Sequence, residues 1–596
     1  MYSKRTHYCG EVLPATSGEE IIVCGWVQRQ RDLGSLIFVD LRDRTGIVQC
    51  VFDDTVSKDI FETAFGVRAE TVLCIKGTVR MRSNPNPNIP TGLVEILASD
   101  LQMLSRAQTP PFEIEDDTRV AELTRLEYRY LDLRRPSLQH NIILRHKVMQ
   151  AVRRFYDVNG FLEIETPILT KSTPEGARDY LVPSRLHDGK FYALPQSPQQ
   201  YKQLLMASGF DRYFQLARCM RDEDLRADRQ PEFTQIDVEM SFVDIDDVLE
   251  INERMMASVF KEVLNADIPL PMPRLPYREA IERFGSDKPD LRFGLELKDL
   301  TAVTRNCGFK VFEDAAYVGG IVVPDKFARK EIDKLTEFVK GLGVKGLAWH
   351  KTETSAFAKF IGDMEPITDA AGFNDGDLLL IIADKPALAR PTLGALRLEC
   401  AKRLAMIDNS VFSFTWITEF PLFELDEESG QYIAQHHPFT SPMTEDIPLF
   451  EKGELGKCRA RAYDMVLNGY ELCSGSIRIH DSAIQTQMFE LLGISKEEID
   501  SRFGHMVKAF KYGVPPHGGI GFGLDRIVMV MAGTDNIRDV IAFPKTQTAV
   551  EVMMDSPSTV DKNQLDELKL KHIHRTLGQV DKLTLEEVDR LVTEDL

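Results

Sequence analysis

The sequence predicts an α+β protein of several domains, and three observations carry that expectation. The chain has 596 residues, more than one hydrophobic core can serve. Its first hundred or so residues read as short β-strands separated by turn signals. Farther on, Arg212 to Phe242 reads as two strands joined by a loop crowded with charge.

In the N-terminal part, Ile21 to Val27, Leu36 to Arg42, Gly46 to Phe52 and Glu70 to Arg80 are rich in apolar and β-branched residues. Asp32-Leu33-Gly34 and Arg44-Thr45-Gly46 punctuate them, and a helix-like run, Lys58 to Phe65, precedes the fourth. Gly92 to Leu97 supplies a fifth strand. Five short strands with one helix predict an OB-fold barrel, which binds single-stranded nucleic acid on aromatics beside basic groups. Phe38 is a candidate stacking platform, with a place in the core as the alternative. Arg29, Arg31, Arg42, Arg44, Lys76, Arg80 and Arg82 offer local positive charge.

Thr109-Pro110-Pro111 and the acidic stretch after it read as a linker. An amphipathic helix then runs from about Ser137 to Asn159, with Leu144, Val148, Val152 and Phe155 as its apolar stripe and Gly160 as its stop. In the charged hairpin, Arg221 and Glu223 share one side of a strand, as do Gln235, Asp237 and Glu239. Such groups are costly to bury unless they are paired or meet a charged ligand; a solvated hairpin with cross-strand ion pairs is the alternative. From Leu295 to Ile407, apolar strands such as Gly319 to Val323 and Leu378 to Ile382 alternate with helical runs such as Phe327 to Gly341. Near the C-terminal end, Gly518-Gly519-Ile520-Gly521-Phe522-Gly523-Leu524-Asp525-Arg526 sets four glycines before an arginine that opens an apolar, helix-like run. Glycines admit close approach to the backbone, and an arginine at a helix start suits a phosphate; a tight packing turn is the alternative. The spacing is not a Rossmann fingerprint, and no Walker-type loop occurs.

These segments, with Gly160-Phe161-Leu162-Glu163-Ile164-Glu165-Thr166-Pro167, resemble motifs 2, 3 and 1 of class II aminoacyl-tRNA synthetases. Ser172 to Tyr180, Gln196-Ser197-Pro198-Gln199 with Lys202, and His436-His437-Pro438-Phe439-Thr440 narrow the resemblance to the bacterial aspartate enzymes of class IIb. The resemblance spans Arg5 to about Pro557. It implies an anticodon-binding OB-fold over residues 1–105, a hinge at 106–120, an antiparallel-sheet catalytic domain in two parts, 121–294 and 411–555, an inserted α/β domain at 295–410 and a C-terminal extension at 556–596. It further implies a homodimer built on motif 1, with ATP, L-aspartate and tRNA(Asp) as substrates and Mg2+ as cofactor.

Carried over position by position, the resemblance makes Arg221 and Arg526 the catalytic arginines, on the α- and γ-phosphates. Phe233 stacks on adenine, and Asp222, Glu223, Gln230, Glu471, Gly523, Leu524 and Asp525 complete the ATP site. Aspartate falls to Glu175, Gln199, Lys202, Arg221, Gln235, Asp237, His436, His437 and Arg478, with Lys202 and Arg478 on the side-chain carboxylate. Asp464 and Glu471 hold the metal; taken alone, without the motif context, they read as surface acids. Arg29, Phe38, Gln49, Arg80 and Glu95 read the anticodon, and Leu33 marks the type that charges only tRNA(Asp) rather than tRNA(Asn) as well. Leu472-Cys473-Ser474-Gly475 departs from the glycine-rich run usual there, with Cys473 read as a packing thiol.

Composition bounds these expectations. The 43% hydrophobic and 28% charged residues are ordinary for a soluble globular protein. A net charge of −20 does not exclude nucleic acid, because phosphate contacts need only local basic patches. Nine scattered cysteines without a Cys-x-x-Cys pair argue against structural zinc and a disulfide framework, and fit a reducing cytoplasm. The N-terminus lacks the apolar core of a signal peptide, and no apolar run is long enough for a membrane span.

Overall fold

The computed structural model describes residues 4–173, 177–223, 228–426 and 429–570. The first body is a closed five-stranded barrel. Its strands are β1 (Glu20–Asp32), β2 (Ile37–Asp43), β3 (Gly46–Phe52), β4 (Val72–Met81) and β5 (Val94–Ser105), in the order β1-β2-β3-β5-β4. Helix α1 (Lys58–Phe65) is capped by the Ser57 hydroxyl, which accepts from the Ile60 N–H. Alternation drives closure: Ile21, Val23 and Val27 of β1 and Ile37, Val39 and Leu41 of β2 all point inward and are fully buried. Arg42 departs from its expected place in the basic patch. It is buried against Glu70, at 2.9 and 2.8 Å to the two carboxylate oxygens, so it is not available to phosphate.

The second body begins in helix α2 (Pro136–Val158), which ends before Gly160 at a φ of +78°. Tyr156, rather than Phe155, completes its buried stripe. There follow β6 (Leu162–Glu163), α3 (Gln199–Ala207), β7 (Arg212–Met220), β8 (Glu232–Ser241), α4 (Ile245–Leu264) and β9 (Arg274–Pro276). A separate four-stranded sheet then intervenes, made of β10 (Lys298–Asp299), β11 (Tyr317–Pro324), β12 (Ala348–Lys351) and β13 (Asp377–Asp384), in the order β10-β11-β13-β12 with every pair antiparallel. Helices α5 (Arg329–Gly341) and α6 (Pro386–Arg403) pack on it through Ile332, Leu335, Leu393 and Leu396. The chain returns through β14 (Phe414–Thr418), β15 (Ala462–Leu467), β16 (Tyr470–Ile477), β17 (His517–Gly523) and α7 (Leu524–Met531).

The main sheet has eight strands in the order β9-β14-β15-β16-β17-β8-β7-β6. Its six central strands are antiparallel, and the two outermost pairs are parallel. This order sets β8 between β7 and β17, so the charged hairpin and the glycine-rich strand are direct neighbours. Glu239 faces Gly519 and Asp237 faces Gly521 across that pairing.

The glycines are therefore spaced for buried side chains of the next strand. A Cβ on Gly519 would lie 1.8 Å from Glu239 Oε2 and 2.3 Å from Val238 O, and one on Gly521 2.3 Å from Gln235 Nε2. Gly519→Ala is expected to cost about 1–3 kcal/mol or more, because neither the backbone nor a pinned carboxylate can give way. A melting temperature equal to the parent's would contradict that packing.

Among the described residues no helix is long and apolar enough to cross a membrane, and all nine cysteines are free. Cys473 is buried, and desolvation raises its thiol well above the ordinary range, as an inert packing residue requires.

Candidate active site

A cavity of about 310 Å³ opens over β8, β16 and β17. Its floor is a closed set of charges. Lys202, from α3, and Arg478, just past β16, are each only 2% exposed. Lys202 Nζ reaches Asp237 Oδ1 at 2.8 Å and Glu239 Oε2 at 3.3 Å. Arg478 grips Glu239 with Nε at 3.0 Å and Nη2 at 3.1 Å, while its Nη1 lies 2.7 Å from both Ser476 Oγ and His437 Nε2. Two cations and two carboxylates balance, which makes burial tolerable. Burial pushes the Glu239 carboxyl up, but Arg478 and Lys202 outweigh it and hold it below the ordinary range. Burial prevails at Asp237, whose carboxyl is raised despite Lys202. Glu239 is the anchor that the site-residue expectations omitted, although its alternation with Asp237 was visible.

Several buried atoms around this floor make no hydrogen bond: Asp237 Oδ2, Gln199 Nε2, Arg221 Nε and His436 Nδ1. They supply acceptors and donors for a small ligand carrying both an ammonium group and carboxylates. Gln235 lies beside them on β8.

At the cavity's other end, β7 stops at Met220, so Arg221 and Glu223 are not strand residues sharing a face, as the two-residue spacing suggested. Arg221 extends the hairpin by one bond, its N–H to Pro231 O at 2.8 Å, and its guanidinium lies 5.0 Å from the centre of the Phe233 ring. Glu223 turns to Arg229 at 3.1 Å, and Asp222 turns to Arg178 at 3.5 Å. Gln230 lines the wall. Arg526, third residue of α7, donates to Glu471 O at 2.7 Å and pairs with Asp228 at 3.1 Å. Leu524 is buried, Gly523 borders the cavity, and the Asp525 carboxylate turns inward to the Thr234 N–H at 2.8 Å. Asp228, Arg229, Ser197 and Ser476 line the cavity without having been expected there; single polar residues in loops carry no periodic signal.

His436 and His437 lie in a loop after the strand Tyr432–Ala434. On a strand, adjacent side chains would diverge; here both border the same cavity, because loop dihedrals lift the alternation rule. Glu175 lies outside the described residues, as does the end of the C-terminal extension.

On the barrel, Phe38 is half-exposed outside the core, and Arg31 on the neighbouring strand lies 5.4 Å from its ring centre. Register pairs Arg31 with Phe38, and Arg29 with Asp40. Gln49 accepts from Arg31 at 2.9 Å and Arg82 at 3.0 Å, and donates to Glu95 at 2.7 Å, which in turn takes Arg80 at 2.9 Å. Leu33 sits at the β1–β2 turn with 69% of its surface exposed.

The family described as "tRNA synthetases class II (D, K and N)" matches residues 121–547, and "OB-fold nucleic acid binding domain" matches residues 21–104. The chain is a class II tRNA synthetase of the D, K and N group. It is 57% identical over 582 residues to "Aspartate--tRNA(Asp/Asn) ligase" of Caldanaerobacter subterraneus subsp. tengcongensis, covering 95% of this chain and 98% of that one. It is 55% identical to "Aspartate--tRNA ligase" of Ruminiclostridium cellulolyticum, with the same shares covered. Among solved structures, asparaginyl-tRNA synthetase from Pyrococcus horikoshii, complexed with asparaginyl-adenylate, shares the fold at a TM-score of 0.59 and 18% identity, over 91% of this chain and 98% of that one. So does a putative aspartyl-tRNA synthetase from Leishmania major, at 0.59 and 20%, over 94% and 95%.

For a synthetase of this group, the acids on β15 and β16 bear on metal binding. Asp464 Oδ1 is buried and makes no hydrogen bond, 3.9 Å from His436 Nε2. Burial and the neighbouring Asp464 charge raise the Glu471 carboxyl. Two neighbouring acids, one raised despite Arg526 and Lys288, suit a hard divalent cation. Among the described residues no group of three or more acids, histidines or cysteines forms a metal cage; Asp464 and Glu471 are the residues that could hold such a cation.

The same electrostatics predicts a pH dependence of stability. Burial lowers the His437 imidazole well below its ordinary range, and Arg478 lowers it further. The unfolded histidine takes up its proton near pH ~6.5, while the folded one refuses it. The unfolded state therefore binds more protons as pH falls, and stability declines below that point by about 1.4 kcal/mol per pH unit for this group. Urea unfolding between pH 7.5 and 5.5 should show this decline, and His437→Asn should flatten it; an unchanged slope would count against a neutral His437.

Proposed function

We propose that this synthetase activates L-aspartate with ATP, giving aspartyl-adenylate and pyrophosphate, and then transfers the aspartyl group to the terminal ribose of tRNA(Asp). The observation that carries this reading is the buried Lys202–Glu239–Arg478 set beside the unpaired Asp237 Oδ2. Two cations meet a substrate side-chain carboxylate, and Asp237 with Gln199 meets the ammonium group. Neutral asparagine would leave those cations underused, which is the basis for rejecting it.

In this reading, Arg221 binds the α-phosphate and the reacting carboxylate, and Arg526 leaves Asp228 for the γ-phosphate. Both are planar, permanently charged forks suited to phosphate oxygens. Phe233 stacks on adenine, while Glu223 and Gln230 contact the nucleotide. Catalysis is then mostly positioning and charge stabilisation around one phosphorus. Asp464 and Glu471 would hold Mg2+, which when bound supplies charge neutralisation for the triphosphate. His436 and His437 wall the aspartate pocket, and Glu175 contacts the ammonium group.

The proposed domain division is the one the resemblance implies, with the barrel face of Arg29, Phe38, Gln49, Arg80 and Glu95 reading the anticodon, beside Arg31. Leu162 of motif 1 and its flanking Val158, Ile168 and Leu169, all exposed, support a homodimer through that face. The working compartment is the cytoplasm, where tRNA is charged. A second reading, charging of tRNA(Asn) as well, is favoured by the names of several relatives at 55–57% identity, against the exposed Leu33 of the strict type.

The test is aminoacylation with radiolabelled aspartate on tRNA(Asp) and tRNA(Asn) side by side, with ATP and magnesium. Charging of tRNA(Asp) alone supports the first reading, and charging of both supports the second. Charging of neither would overturn the aspartylation reading.

A further inference from the structure

The mechanism so far makes no use of Arg145, a residue of α2 whose side chain is 15% exposed. Its Nη1 donates to Asp525 Oδ1 and, at 3.4 Å, to Val540 O; its Nη2 donates to Thr234 Oγ1 at 3.1 Å. Asp525 closes the ring by accepting the Thr234 N–H on Oδ2 at 2.8 Å. Arg218 Nη1 holds the Thr234 hydroxyl from the other side at 3.2 Å. Arg145 is not part of the cavity wall.

The location of this ring matters. Pairing between β8 and β17 runs from Ser241 opposite His517 to Gln235 opposite Gly523, and goes no further. Beyond that last pair, β8 carries Thr234 and then Phe233, while the segment after β17 carries Leu524, Asp525 and Arg526. The Asp525 carboxylate takes over where the ladder stops, bonding the N–H of the next β8 residue. A carboxylate on a free rotor could not hold that bond in one geometry; the Arg145 fork fixes it by engaging Asp525 and Thr234 together.

We infer that Arg145 is a positioning residue, which sets the spacing between Phe233 and Arg526 and thereby governs ATP affinity without touching ATP. The inference rests on the nucleotide roles proposed above for those two residues. Lysine would keep the charge beside Asp525 but present one point rather than a fork, so it would hold one partner and release the other.

The experiment uses the full chain with Arg145→Lys, Arg145→Gln and Arg145→Ala. Calorimetric titration with ATP alone is paired with aspartate-dependent pyrophosphate exchange, in which KM is measured separately for ATP and aspartate. Loss of a charge-assisted bond of this kind is expected to weaken ATP binding about 10-fold or more in the glutamine variant, less in the lysine variant, with the aspartate KM within about 2-fold of the parent's. Added guanidinium ion should restore part of the ATP affinity of Arg145→Ala. Unchanged ATP affinity, even with a lowered melting temperature, would make Arg145 a structural brace and overturn the inference. Equal weakening of ATP and aspartate would overturn it too, as general damage to the fold, and so would a parent chain that fails to bind ATP. Because calorimetry reads ATP alone, a parent that binds ATP but charges no tRNA would count against the aspartylation reading and not against this one.

Discussion

Arg478→Leu is expected to abolish aspartate activation, lowering kcat/KM for aspartate in pyrophosphate exchange by about 10⁴-fold or more. Arg478 supplies one of the two buried cations for the substrate carboxylate, and it also carries most of the charge balance for Glu239, through bonds of 3.0 and 3.1 Å. Its loss leaves Glu239 buried with Lys202 as its sole cationic partner, and Lys202 is shared with Asp237. Breaking a buried pair from one side costs about 3–5 kcal/mol, so the variant should also melt earlier. Arg478→Lys separates the two effects: it keeps a charge for Glu239 but gives up the fork. It should regain much of the stability and little of the activity. An aspartate KM near the parent's in Arg478→Leu would remove the basis for reading the cavity floor as a carboxylate site.

Arg221→Ala is expected to act on the chemical step. Arg221 stands at the mouth of the β7–β8 hairpin, with an unpaired Nε and one face of Phe233 beneath its guanidinium. A preorganised donor aimed at charge that develops in the transition state is worth about 10²–10³ in kcat. The fold should tolerate the change, because no buried carboxylate loses a partner. The measurement is kcat for pyrophosphate exchange at saturating ATP and aspartate, together with the melting temperature. A fall in kcat of that size with an unchanged melting temperature is the expected pattern. A raised KM with unchanged kcat would mean that Arg221 binds ground state and transition state alike.

These two expectations also mark what could be read without a fold. The barrel strands, the long helix ending before Gly160, the β7–β8 hairpin and the glycine strand leading into α7 were all legible, because each is written in a local period or a turn residue. Four glycines before Arg526 pointed to a backbone that must be approached closely, although the approaching groups are the Glu239 and Gln235 side chains. The resemblance added roles residue by residue, and Lys202, Asp237, Arg478, Arg221 and Arg526 do border one cavity.

Which charge meets which was decided by the tertiary arrangement of strands and helices. Arg42 had the composition of a phosphate contact and is spent on Glu70. Glu239 alternated visibly with Asp237, yet nothing local said that Arg478, far along the chain, would close on it. Arg145 lies off the apolar stripe of its helix, with no local signal, and ties Asp525 to Thr234. Local sequence determines periodicity, and hence where strands, helices and turns form. Partners for buried charges are set by how strands and helices distant in the chain pack together, because packing brings particular side chains within a few ångströms and removes the water that would otherwise have satisfied them separately.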